Sequence, residues 1–367
     1  MTDKILEGGK IDARQTLYLL VTMIYATLIL FIPQNTVAHA KQDAWLSFLV
    51  AFTGGVIISL VVINLSLRFP GQTLFEYLPL ILGRFPGKII GFFYVWLFIH
   101  FCALVDREYC STIVAAFMPE TPLVVFLIHG TIMAAYIAYC GLEVLARINQ
   151  LFLPLNAGLL TTLFVLVTPE MKVINILPVF DTSLLSLAKS TITPLSWFGE
   201  IVALAVIIPY LAEQKNIYHL TIKALFFVLI LIELATIGVL LVFGPTLTSS
   251  YFFPVLSWTK MINIANFVER LEILPIVIWI TSGTVKGALF LWAAALGSAQ
   301  LLGLKDYRSL LLPLAVIVTT LSYLLHPSII DLLNFLTQAF PFYALTFEFI
   351  IPFLLLIIVL IKGPGKK

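Results

Sequence analysis

Charge is what this sequence has least of. Only 11% of its 367 residues are Asp, Glu, Lys or Arg, and 61% are hydrophobic, whereas roughly a quarter of a soluble domain is charged. With a mean hydropathy of +1.07, the chain cannot cover itself with a water-facing surface, which excludes a soluble enzyme or binding module. Runs of like charge are also missing. The net charge is +2 and Lys and Arg stand singly, so nothing is present to neutralise a row of phosphates and no nucleic-acid partner is expected. Three cysteines, Cys102, Cys110 and Cys140, all fall in apolar segments. The first two, on one helix, are about 12 Å apart along its axis, too far to bridge. No HExxH, GxSxG or glycine-rich phosphate loop occurs, and His100 and His129 have no companions at metal-ligand spacing. No catalytic residue, metal or cofactor is therefore expected.

What the sequence does have is long apolar runs. A spanning helix takes about 20 residues, and the hydrophobic pattern predicts ten, near residues 14–38, 43–67, 88–117, 121–140, 148–168, 186–212, 218–243, 270–302, 308–326 and 340–361. These consume most of the chain, leave no room for a separate soluble domain, and make residues 1–367 a single transmembrane domain. The apolar stretch of span 1 is too long for a cleavable leader, and no small-residue cleavage site follows it. Cationic loops resist translocation. With the N-terminus inside, fourteen Lys and Arg residues (Lys4, Lys10, Arg14, Arg68, Arg84, Lys88, Arg147, Lys215, Lys223, Lys305, Arg308, Lys362, Lys366 and Lys367) face the cytoplasm. Four (Lys41, Lys172, Lys260 and Arg270) face out. That bias predicts an even number of spans with both termini cytoplasmic.

Two loops carry structure of their own. Thr73-Leu74-Phe75-Glu76 reads as a capping box, Leu74, Tyr77, Leu78 and Ile81 recur at helical spacing, and Gly83 is placed to stop the turn, which predicts a short surface helix. The loop 244–269 holds Tyr251, Phe252, Phe253, Trp258 and Phe267, too aromatic for a solvated linker, and is expected to fold back onto the bundle. Ten spans divide into two groups of five, residues 12–168 and 184–361. Because five is odd, a repeat between the halves is inverted, a plan of secondary transporters with the site at mid-membrane between the first helix of each half.

An ionisable group at mid-bilayer costs about 2.5–3.5 kcal/mol and so marks a pathway or a paired interior site. The candidates are Asp106, Arg107 and Glu108 in span 3, Glu200 in span 6, Glu233 in span 7, Lys286 in span 8 and Glu348 in span 10. Span 6 is the most informative. In Thr193-Pro194-Leu195-Ser196-Trp197-Phe198-Gly199-Glu200 a proline removes a donor and a glycine weakens the helix, so an interruption is expected, with Glu200 and freed backbone groups meeting a ligand. A kinked helix with a structurally paired Glu200 is the alternative. Span 1 offers only Ala26, Thr27 and Pro33, and an interruption there competes with a straight helix. Thr281, Ser282 and Lys286, with Arg107 and Glu108, are candidates for an ion or charge-coupling site, although Ser and Thr hydroxyls also bond readily to the carbonyl four residues back.

These residues resemble the amino acid-polyamine-organocation transporter superfamily in Trp197-Phe198-Gly199-Glu200 and in the small residues, Phe31 and Pro33 of span 1. Within it the chain is similar to the endospore germination permease family, the B-subunits of nutrient germinant receptors. Carrying that likeness are Pro70-Gly71-Gln72-Thr73-Leu74-Phe75-Glu76-Tyr77 with Gly83 and Gly87, then Asp43-Ala44-Trp45, Phe198-Gly199-Glu200, and Glu269-Arg270-Leu271-Glu272 ahead of Ile278-Trp279-Ile280. It implies an all-α integral membrane protein with ten transmembrane helices in an inverted five-plus-five, LeuT-like repeat, helices 1 and 6 being interrupted. It also implies a subunit that binds a small nutrient such as an amino acid, A- and C-type partner subunits, and the spore inner membrane. Tyr25, Ala26 and Thr27 with Trp197, Phe198, Gly199 and Glu200 would line the ligand pocket. The superfamily's first-helix glycines are replaced here by Tyr25-Ala26-Thr27, and span 5 has no lysine to serve as a proton-linked cation.

Overall fold

Backbone groups in lipid must be satisfied within their own segment, and the computed structural model, which describes residues 6–262 and 271–362, meets that demand with helices throughout. Lys4, Phe267, Glu269, Arg270, Lys366 and Lys367, which entered the charge count and the motifs above, lie outside the described residues. The helices are α1 (Ala13–Ala40), α2 (Ala44–Ser66), α3 (Leu74–Leu82), α4 (Arg84–Ala116), α5 (Leu123–Cys140), α6 (Leu142–Val167), α7 (Leu184–Gly199) and α8 (Leu204–Ile207). They continue with α9 (Ile217–Ser250), α10 (Pro254–Thr259), α11 (Ile273–Leu302), α12 (Arg308–Leu324), α13 (Ile329–Gln338), α14 (Phe340–Leu345) and α15 (Ile351–Lys362).

Among the described residues eight helical stretches are long and apolar enough to cross a membrane, and the pair α12 and α13, bent by 100°, makes a ninth. One of the eight is the 54-residue stretch Ala13–Ser66. It would reach about 80 Å at 1.5 Å per residue, against a hydrocarbon core of ~30 Å. Lys41, at a positive φ of 48°, breaks it into α1 and α2. Two crossings therefore come from that stretch, and the described residues give the expected ten. In the order of spans, α7 and α8 form the sixth, α9 the seventh, α11 the eighth and α14 with α15 the tenth. The first crossing packs along the seventh, and the second along the sixth, while the third lies against the eighth. Halves related by an inverting two-fold exchange partners in this way.

Helix 1 departs from expectation. α1 runs unbroken from Ala13 to Ala40, with Ala26 and Thr27 helical and Pro33 inside it. The stretch contains no glycine, every residue from Leu19 to Pro33 is buried by neighbouring helices, and one proline forfeits a single hydrogen bond that the surrounding turns absorb. Helix 6 does leave α geometry, but by tightening and not by unwinding. After Gly199 the chain winds as 3-10 turns over Glu200–Ala203, returns to α over Leu204–Ile207 and tightens again over Ile208–Tyr210. Such turns keep backbone donors paired, which is why no open segment forms.

The loops follow the sequence closely. α3 carries the anticipated reciprocal cap, Thr73 N–H donating to Glu76 Oε2 at 2.8 Å, and it buries Leu74, Phe75, Tyr77 and Leu78. α9 ends its straight run at Gly244, whose φ of 69° only glycine adopts freely. Beyond it α10 folds back and buries Trp258 against Phe164, ring centroids 6.0 Å apart. α13 was not legible as a separate helix. It is amphipathic, capped by Ser328, and buries Leu332 and Leu336.

Candidate functional site

The side chain of Glu200, the first residue of the 3-10 turn, meets groups from α1, α4 and α11. Lys286, from α11, is fully buried. Its Nζ lies 2.8 Å from Glu200 Oε1 and 2.7 Å from Oε2, and donates to Thr27 Oγ1 on α1 at 2.7 Å. The same Thr27 oxygen accepts from Trp197 Nε1 at 2.8 Å. Three crossings are thus joined by one ammonium, one hydroxyl and one carboxylate. Trp197 is held edge-on by Phe31, with centroids 5.7 Å apart, and lies 5.0 Å from the Phe340 ring. Glu108 closes the cluster from α4, beside the apolar wall of Phe101, Leu104 and Val105.

These groups surround a cavity of about 10 Å³, the room of one water molecule at most. No amino acid fits beside the ion pair in this conformation. A ligand reaching Glu200 would have to part it from Lys286. Two charges withdrawn from water are not there for stability, since a well-packed apolar pair is generally as good or better.

Of the residues expected at the pocket, Thr27, Trp197 and Glu200 line this cavity, as do Lys286 and Glu108. The others point elsewhere. Tyr25 is fully buried, and its hydroxyl has no partner among the described residues. Phe198 packs onto α2 at Gly55, and Gly199 faces Glu348 of the last crossing. Ala26, also buried, is absent from the cavity wall. Thr281 bonds Asn156 on α6 at 3.0 Å and its own helix at Val277 O, while Ser282 donates to the carbonyl of Ile278. Both hydroxyls are thereby turned from the cluster, as back-bonding in a helix demands. Arg107 donates to the carbonyls of Ser322, Tyr323 and His326 at 3.2, 3.4 and 2.6 Å, capping the end of α12 where the chain turns into α13. Asp106 accepts from Tyr109 at 2.8 Å and Thr131 at 3.0 Å. Residues not foreseen are Phe101, Leu104, Val105 and Phe340, whose only signal was membership of an apolar span.

Both routes to the cluster are closed. On the far side from the N-terminus, α13 and Phe253 cover a second cavity of about 10 Å³ that shares Glu108 as a wall. At the opposite end the chain ahead of α1 is a plug. Glu7 accepts from Gly9 N–H at 2.9 Å, Leu142 N–H at 3.3 Å, Trp292 Nε1 at 3.1 Å and the Tyr307 hydroxyl at 2.9 Å. Ile11 pairs in parallel with Leu211, its N–H donating to Tyr210 O at 3.0 Å while Ala212 N–H donates to Ile11 O at 2.9 Å. Burial, together with the Glu7 carboxylate, holds the Tyr307 phenol above its ordinary range, so it stays a hydrogen-bond donor.

Residues 10–330 match the family model described as spore germination protein. Among similar proteins, spore germination protein KB of Bacillus subtilis (strain 168) is 23% identical over 99% of this chain and 98% of its own length. Putative spore germination protein YfkT of the same organism is 27% identical over 77% of each. Among solved structures, MhsT in complex with L-phenylalanine superposes with a TM-score of 0.63 at 12% identity, over 94% of this chain and 97% of that one. Mhp1, a nucleobase-cation-symport-1 family transporter with bromovinylhydantoin bound, gives 0.64 at 12% identity over 95% of this chain and 80% of its own. The fold is that of these two structures.

Proposed function

This chain belongs to the spore germination protein family, and on that premise we propose that it is the membrane subunit of a nutrient-germinant receptor whose ligand, an amino acid, binds between Glu200 and Lys286. The observation that carries the reading is the buried Lys286–Glu200 pair tied to Thr27. A zwitterion supplies both charges needed to replace it, its ammonium taking Glu200 and its carboxylate taking Lys286, so that neither buried charge is stranded. Parting of the pair loosens the 3-10 turn from α1 and α11 together, and the ligand favours the open state by its differential affinity for the two. About 5.5 kcal/mol of such preference swings a 1:99 balance to 99:1. The A- and C-type subunits implied by the family would read that change, and the Lys and Arg bias would put both termini in the cytoplasm of the spore's inner membrane.

The experiment is the response of spores carrying Glu200→Gln. The nutrient response is expected to be lost while folded subunit is still found in the membrane, and a normal response removes Glu200 from the site. The second reading, an amino acid transporter coupled to a cation or proton, draws support from the fold shared with MhsT and Mhp1. Substrate accumulation driven by this chain alone in proteoliposomes would favour it over a receptor subunit.

A further inference from the structure

We propose that Glu348 is a proton-binding site built against the turn that carries Glu200, an inference that rests on reading the Lys286–Glu200 pair as the ligand site. Glu348 is fully buried in the last crossing, on a π turn at Thr346–Ile350, a distortion frequent at functional positions. Among the described residues neither of its carboxyl oxygens has a hydrogen-bond partner. An ionised carboxylate so placed costs several kcal/mol, and such a group neutralises instead. The side chain has a specific seat: it lies against Gly199, where any side chain would collide with its carboxyl. Gly199 is the last residue of α7 before the 3-10 turn opens with Glu200.

Among the described residues no acceptor lies within hydrogen-bond reach of the Glu348 carboxyl. Glu200 and Lys286 are the charges acting on Glu348, and they are committed to each other. Tyr94 of α4 donates to Phe347 O at 2.8 Å, and Tyr343 of α14 meets His100 at 3.4 Å. α2, which also packs on the π turn, carries no titratable residue, α7 has only Lys189, ten residues before Gly199, and α15 only Lys362 at its far end. When the turn opens and water enters, the proton leaves the carboxyl oxygen for water, and a carboxylate remains beside the Glu200 carboxylate. Like charges that close repel strongly in a poorly screened interior, so re-closure requires the proton back. The proton and the closed ion pair therefore favour the same state.

The test is infrared difference spectroscopy, in light and heavy water at neutral pH, of the full chain in lipid vesicles. Wild type is expected to give the carbonyl band of a protonated buried carboxyl, reduced by one group in Glu348→Gln and kept in the double variant Glu200→Gln with Lys286→Met, which strands no charge beside it. Glu348→Asp retains an acid and supplies a displaced band should the amide variant fail to fold. A band unchanged in Glu348→Gln overturns the proposal, as does sodium-dependent thermal stabilisation that this variant loses, which would make the site one for a metal cation. Neither readout needs a germinant, so failure to find a nutrient that binds at Glu200 would leave the band standing, and the reverse.

Discussion

Glu200 and Lys286 are each tolerable at mid-membrane only because the other is there. Removing one partner of a buried pair leaves a stranded charge at a cost of about 3–5 kcal/mol, while replacing both by neutral groups is close to neutral. Glu200→Gln is therefore expected to lower the unfolding temperature in lipid, and adding Lys286→Met to recover most of the loss without recovering the nutrient response. A double variant as unstable as the single one would contradict the pairing. The two charges were legible in the sequence because their insertion cost makes them conspicuous. Tyr25, Thr281 and Ser282 could be placed at the right depth but not at the right rotation, which is fixed by neighbours the sequence does not reveal: Asn156 takes the Thr281 hydroxyl, and the carbonyl of Ile278 takes that of Ser282. Arg107 was equally visible as a charge, yet its three carbonyl partners lie more than two hundred residues away in the chain.

The elements most visible in the sequence turn out to be joints. Asp43 of Asp43-Ala44-Trp45 accepts from the N–H groups of Phe180, Asp181 and Thr182 at 2.7, 2.9 and 2.9 Å, tying the turn between α1 and α2 to the entrance of α7. Phe180 there adopts φ 62°, a strained conformation for a large side chain that these bonds hold in place. Hydrogen bonds to a charged group contribute about 1.5–3 kcal/mol. Asp43→Asn is thus expected to destabilise the protein by roughly that amount in thermal unfolding, and no loss would show the joint to be dispensable. Thr73 of the α3 motif likewise donates to Gln300 on α11 at 2.6 Å. Caps, spans and glycine stops are local and were legible. The continuity of helix 1 was not, because burial of α1 from Leu19 to Pro33 keeps a weak sequence helical, and nothing local to Gly199 announces that Glu348, 149 residues away, packs against it.

As a whole the molecule is closed at both ends, by α13 with Phe253 on one side and by the segment held by Glu7 on the other. Glu7→Gln weakens four bonds at once, so faster hydrogen exchange is expected at the Ile11 and Ala212 amides, which the plug pairs across the bundle. Unchanged exchange would mean that the plug is held by its backbone pairing alone. A closed core with space for one water implies that ligand binding is visible as a large change in stability, because only the opened and refilled site can hold a guest. The direct measurement is thermal unfolding of the purified full chain titrated with the natural amino acids and with sugars, in wild type and in Glu200→Gln. One amino acid is expected to stabilise the wild type increasingly with concentration, by about 2.7 kcal/mol at a hundredfold excess over its Kd, and to leave Glu200→Gln unmoved. Stabilisation by none of them, or by the same amount in both proteins, would contradict a ligand site at the Lys286–Glu200 pair.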